Sequence, residues 1–235
     1  MAPDFDRAIE KLKERKNDME RYAYIMRRVY DADVSSDAEF QRTFNAFYRV
    51  RRNEAWRKRF YDLFEECKNK EDLSFEYILR SLYSLTGNIE ASFSSKMLAT
   101  LNAQMPIWDS IVLSRLQIKP TTSTDKEMRI LDAIEIYKNI AYRYDGFLQA
   151  DKAQEVLDKF DEAFPEYENF SEIKKIDFLL WGDKDAEPLL GSRVRIEGYI
   201  DLPSIVPCEE FADKFLAFIE SNYWHFDGSI SEIDE

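Results

Sequence analysis

Apolar side chains recur every three to four residues through most of this 235-residue chain, which is the repeat of one face of an α-helix. The heaviest case is the aromatic stripe Phe40, Phe44, Phe47, Trp56, Phe60, Leu63 and Phe64, too apolar to stay uncovered and so in need of other helices against it. The pattern predicts helices over residues 4–30, 37–69 with an interruption near Asn53, 73–85, 90–101, from Asp109 through Leu116, 125–144, 149–163, from Ser171 to Gly182, and 209–222. Oxygen-bearing residues stand where these runs begin: Ser36 or Asp37, Ser74, Asp109, Thr124 with Glu127 three residues on, and Ser171, each able to accept an otherwise unpaired amide of the first turn. Gly87, Gly146 and Gly182 stand where runs end. Alternation around Val194, Ile196 and Tyr199 allows at most a minor extended segment near 191–200. The expectation is an all-α, multi-helix fold forming one unit over 1–227, or two subdomains (about 1–30 with 120–227, and 37–119), followed by an acidic disordered tail at 228–235.

Composition removes several function classes. A single histidine, His225, leaves no His-based metal site or catalytic dyad, so no metal and no cofactor is expected. Cys67 and Cys208 lie far apart and read as free thiols. No apolar run approaches eighteen residues, and the N-terminus turns charged at once, so the expected protein is cytoplasmic and makes no use of a membrane.

The formal charge of -13 argues against a chain that coats itself indiscriminately in nucleic acid. That charge is uneven. Residues 1–70 hold 17 Lys/Arg against 14 Asp/Glu, whereas residues 160–235 hold 6 against 19. Between Arg42 and Arg59, seven bases (Arg42, Arg49, Arg51, Arg52, Arg57, Lys58, Arg59) surround one acid, Glu54. This segment reads either as a phosphate-facing surface with aromatics able to stack on bases, or as a solvated helix face whose arginines pair with the acidic last third.

One stretch brings chemistry-bearing residues together. Phe75 to Gly87 reads FEYILRSLYSLTG; Lys96 follows, and then PIWDSIVLSRL from Pro106 to Leu116. Asp109 is a helix cap by position and an active-site candidate by chemistry. Lys96 reads as a nucleophile or ligand contact, or as an ordinary solvated or salt-bridged lysine. Trp108 reads as a pocket wall or as packing under its loop. Asp177, inside KKIDFLLWGD, requires a cationic or amide partner if buried, for which the arginines between 49 and 59 are candidates.

Over about a fifth of the chain, these residues resemble the helix-hairpin-helix DNA glycosylase superfamily. In the resemblance Leu85, Thr86 and Gly87 correspond to the hairpin turn, Lys96 to the catalytic lysine, Pro106 and Asp109 to the proline and aspartate, and Arg115-Leu116 to the end of the following helix. It implies a DNA-glycosylase-like fold and a metal-independent enzyme acting on damaged or unusual DNA. A base would be flipped from the stack into a pocket that includes Trp108 and Asp177. Asp109 would stabilise positive charge developing on the sugar, and Lys96 would attack the sugar carbon. Gly87 and Asn88, with Arg49, Arg52 and Arg115, would hold the DNA. One glycine stands where the hairpin pattern has two. The alternative is therefore a noncatalytic helical protein with a protein partner, and the oligomeric state is open on either reading.

Overall fold

Local capping chemistry decides where the chain changes direction. The computed structural model describes residues 5–119, 123–183, 196, 199–203, 205–221, 226 and 228–232. Among them are eleven α-helices, one 3-10 turn and no strand: α1 (Asp6–Lys13), α2 (Lys16–Arg28), α3 (Ala38–Tyr48), α4 (Glu54–Cys67), α5 (Phe75–Thr86), α6 (Ala91–Leu101), α7 (Ser110–Arg115), α8 (Lys126–Leu148), α9 (Ala153–Ala163), a 3-10 turn at Pro165–Tyr167, α10 (Glu172–Gly182) and α11 (Cys208–Ser221). The fold is all-α, as the periodicity requires. Most of the segment near 191–200 lies outside the described residues, as do His225 and the last three residues of the tail.

Four expected caps form, and Asn53, expected only as an interruption, is a fifth. The side chains of Asp37, Asn53, Ser74, Asp109 and Ser171 accept first-turn amides of α3, α4, α5, α7 and α10, each such bond contributing about 1 kcal/mol. Three expectations are corrected. The first helix is broken at Glu14–Arg15, where the Arg15 amide bonds the Leu12 carbonyl at 2.8 Å; the break lets α1 pack on α10 while α2 packs on α3. The cap of α8 is Asp125, whose Oδ1 accepts the Met128 amide at 2.9 Å, and not Thr124. Gly146 does not end α8. The helix continues to Leu148, with Phe147 meeting the Phe5 ring edge-on at 6.0 Å, a burial that outweighs the roughly 1 kcal/mol propensity cost of a mid-helix glycine.

The aromatic stripe is the core of the α3–α4 pair. Phe44 touches Phe40, Tyr48, Phe60, Tyr61 and Phe64 with ring centroids 4.6 to 5.9 Å apart, and all six rings are buried. Buried rings in edge-on and offset contact supply both burial and quadrupole attraction. α10 is the central element: every residue of it except Glu172 and Trp181 is buried. It approaches α1 so closely that a Cβ on Gly182 would stand 2.7 Å from the Ala8 carbonyl oxygen, which is why glycine ends this helix. Just beyond, buried Asp183 is paired with Arg7 and Lys11 of α1, and its carbonyl accepts Arg115 at 2.6 Å. One residue thus ties α1, α7 and α10 together. Cys67 and Cys208 are free thiols, and burial pushes the Cys67 thiol up to about 11. No helix among the described residues is long and apolar enough to cross a membrane.

Candidate site around Lys96 and Asp109

α6 carries the lysine inward. Following the α5–α6 turn, Ser94 through Thr100 are all buried, because both flanks of this short helix are covered. Lys96 sits in that stretch at 8% exposure. Its Nζ donates to Ser92 Oγ at 2.6 Å and lies 5.3 Å from the Phe93 ring centre. No carboxylate among the described residues is ion-paired with it. Burial therefore pushes its pKa down to about 8; Asp109 opposes the shift and Lys174 adds to it. An alkyl ammonium in such surroundings loses its charge readily, which is the condition for an amine nucleophile at ordinary pH.

Asp109 is brought to the same neighbourhood by the loop that follows α6. Ser95 Oγ accepts the Trp108 amide at 2.9 Å, and Tyr137 of α8 donates to the Pro106 carbonyl at 2.9 Å. Together these fix the loop on α6 and α8. Asp109, partly exposed, caps α7 by accepting the Val112 amide at 2.8 Å. Capping and electrostatic service to Lys96 coexist in one carboxylate. Trp108 stacks parallel to Phe75 with centroids 6.3 Å apart, and Phe75 in turn stacks on Tyr137 at 4.0 Å, so the indole is packed as a wall over α5 and α8.

Behind this pair lies a second, fully buried polar group that sequence reading did not identify as a unit. Lys174 Nζ is 2.8 Å from Asp177 Oδ2, and Tyr144 donates to Asp177 Oδ1 at 2.7 Å. Tyr22, Trp181 and Phe178 surround the Lys174 ammonium at 4.7, 5.3 and 6.0 Å, within cation–π range. Burial alone would lower the Lys174 pKa, but Asp177, Tyr48 and Tyr22 raise it by more, leaving the ammonium protonated well above the ordinary lysine range. Burial raises the Asp177 pKa, partly offset by Lys174. Asp177 is therefore partnered by its neighbour one turn earlier and not by the arginines at 49–59. The i,i+3 spacing of Lys174 and Asp177 was the available signal.

The other expected contacts separate into exposed and internal ones. Arg49, Arg51 and Arg52 are exposed in the α3–α4 connection. Arg49 adopts a left-handed conformation at the end of α3 (φ 55°). Arg52 pairs with buried Glu90 at 2.8 Å, and Trp56 Nε1 donates to the same carboxylate at 3.1 Å; the guanidinium also lies 5.3 Å from the Phe93 ring centre. Phe93 is thus shared between the arginine surface and Lys96. Arg59 reaches the hairpin turn itself, donating to the Leu85 carbonyl at 2.9 Å. In the turn, Gly87 has φ 72°, a conformation that favours glycine. Its amide bonds the Tyr83 carbonyl at 2.8 Å, while the Asn88 amide bonds Thr86 Oγ1 at 3.2 Å. Two amides of the expected phosphate clamp are consequently used inside the turn. Arg115 is buried and engaged with Asp183, so it does not face a surface ligand. The anticipated pairing of the arginine segment with the acidic last third does not occur among the described residues; its acidic partners are Glu90 and Asp62.

Among the described residues no group of three His, Cys, Asp or Glu side chains is placed to hold a metal ion. A cleft of about 500 Å³ lies elsewhere, between α1 and α9, lined by residues of both charges such as Arg7, Glu10, Lys159 and Glu162. No family model, curated protein or solved structure matches the chain.

Proposed function

We propose that the protein acts on DNA bases as a glycosylase or lesion-binding protein of the helix-hairpin-helix kind, with Lys96 as nucleophile and Asp109 as its electrostatic partner. The observation that carries this reading is the state of Lys96: a buried amine with no ion-paired carboxylate among the described residues, influenced by Asp109, and sharing Phe93 with an exposed arginine surface. The neutral amine attacks the sugar C1′ of an extruded nucleotide; the C1′–base bond breaks with its electron pair leaving on the base, and the amine proton passes to that base. The sugar C1′–O bond then breaks as the second amine proton passes to the ring oxygen, leaving a C1′=N Schiff base on Lys96. Asp109 stabilises the positive charge that passes through the sugar. Arg49 and Arg51, with Arg52 at the edge, supply the phosphate-facing surface.

The experiment is release of a modified base across a lesion panel, with borohydride trapping of the protein on DNA. Trapping should rise with pH around a midpoint near 8 and vanish in Lys96→Ala. Absence of both base release and lesion-specific DNA binding in the wild-type protein rejects the proposal. The engaged turn amides of Gly87 and Asn88 and the carboxylate of Glu90 beside the arginines favour a second reading, a noncatalytic helical protein that works through a protein partner. Light scattering with partner capture tests it, and base excision by a monomer without a partner rejects it.

A further inference from the structure

The arginine surface holds more cationic charge than the fold uses. Arg52, Lys58 and Arg59 have partners at Glu90, Asp62 and the Leu85 carbonyl, whereas the side chains of Arg42, Arg49, Arg51 and Arg57 have none among the described residues. The neighbouring Leu85 is itself 42% exposed. At the other end of the chain, residues 201–235 contain nine Asp/Glu and one base, Lys214. Within α11, Glu210 is paired with Lys214 at 2.6 Å. Glu209 and Asp213 are exposed and have no partner among the described residues. Spaced four apart, with Leu216 three residues further on, they form one face of the helix, and Leu216 is 38% exposed on it. An acidic face with an apolar member and a cationic surface beside an exposed apolar residue therefore occur on the same chain, and neither is satisfied among the described residues.

We propose that α11 of one copy docks on the arginine surface of a second copy. Glu209 and Asp213 meet the guanidinium groups of Arg49 and Arg51, and Leu216 lies against Leu85. Charge complementarity selects this occupant. Nucleic acid would satisfy the arginines alone and a basic partner would satisfy α11 alone, whereas a second copy satisfies both and would compete with DNA for Arg49 and Arg51. Because the two faces differ, the contact is heterologous, so each copy can use both at once and assembly is head to tail. The chain's overall charge of -13 opposes association, which makes the contact a local one, sensitive to screening over a Debye length of about 8 Å at physiological salt.

Sedimentation velocity of the full chain, without DNA, tests this independently of any activity. The wild-type protein should show concentration-dependent assembly that weakens on the order of tenfold as salt screens the paired charges. Two charge-reversed forms, Arg49→Glu/Arg51→Glu and Glu209→Lys/Asp213→Lys, should each remain monomeric while keeping the wild-type helical circular dichroism. Mixed in equal amounts, they should assemble again, since one contact between them is native and the other sets the introduced glutamates against the introduced lysines. Milder Arg→Gln replacements should weaken assembly in the same direction. A wild-type protein that stays monomeric, reversed forms that assemble as the wild type does, or a mixture that stays monomeric would overturn the proposal.

Discussion

Two lysines lie buried near one another and have opposite fates. Lys174, at 1% exposure, has a carboxylate at 2.8 Å, a tyrosine completing that carboxylate's bonds, and three aromatic rings around its ammonium. Lys96, at 8%, has a serine hydroxyl and one ring. The first arrangement compensates the cost of removing a charge from water and keeps the proton; the second does not, and the proton is held loosely. Burial alone thus says little about what a lysine does. What distinguishes the lysine that keeps its proton from the one that sheds it is whether a counter-charge is buried with it.

The largest effect should come from breaking the compensated pair. Asp177→Asn leaves the Lys174 ammonium without its anion and should cost about 3–5 kcal/mol in urea-induced unfolding. Replacing all three members with apolar residues, as Tyr144→Phe/Lys174→Met/Asp177→Leu, should cost much less. Equal losses in both forms would contradict the account of Lys174 as a charge stabilised by this one partner. At Lys96 the sign reverses. Its folded pKa of about 8 lies below the ordinary 10.5, so below pH 8 both states are protonated and the folded state bears the full cost of the buried ammonium. Between about 8 and 10.5 the folded protein sheds the proton first, and stability rises relative to the unfolded chain. Lys96→Met should therefore stabilise the protein at pH 7 by on the order of 1–3 kcal/mol, and this advantage should disappear as pH rises through that window in parallel unfolding curves. Asp109 gives the smallest effect: Asp109→Ala removes the cap of α7 and should cost about 1 kcal/mol, whereas Asp109→Asn should retain most of it. Because Asp109 raises the Lys96 pKa, both substitutions should lower the pH at which Lys96 titrates, a shift that a purely capping role would not produce.

Sequence reading reached the helices better than the chemistry between them. Caps such as Ser74 and Asp109 act within one turn and are legible from neighbouring residues. The aromatic spacing from Phe40 to Phe64 likewise foretold a core. The break at Glu14–Arg15 and the passage of α8 through Gly146 were not legible, since each follows from packing against residues far away in the chain. The same holds for the site. PIWDSIVLSRL and a lysine upstream pointed to Asp109 and Lys96, and the i,i+3 spacing signalled a partner for Lys174, but nothing local could reveal that Lys96 is buried without an ion-paired carboxylate among the described residues. Arg115 carried a surface-like charge in a helix-end position, and only the tertiary approach of Asp183 explains its burial.

The distinction between the two lysines is open to direct observation by NMR of lysines labelled at Cε, followed through a pH titration with Lys96→Met and Lys174→Met supplying the assignments. Lys96 should titrate with a midpoint near 8, while Lys174 remains protonated throughout the folded range. A Lys96 midpoint at or above the ordinary 10.5, or titration of Lys174 before Lys96, would contradict the account of Lys96 as the poised amine of this fold.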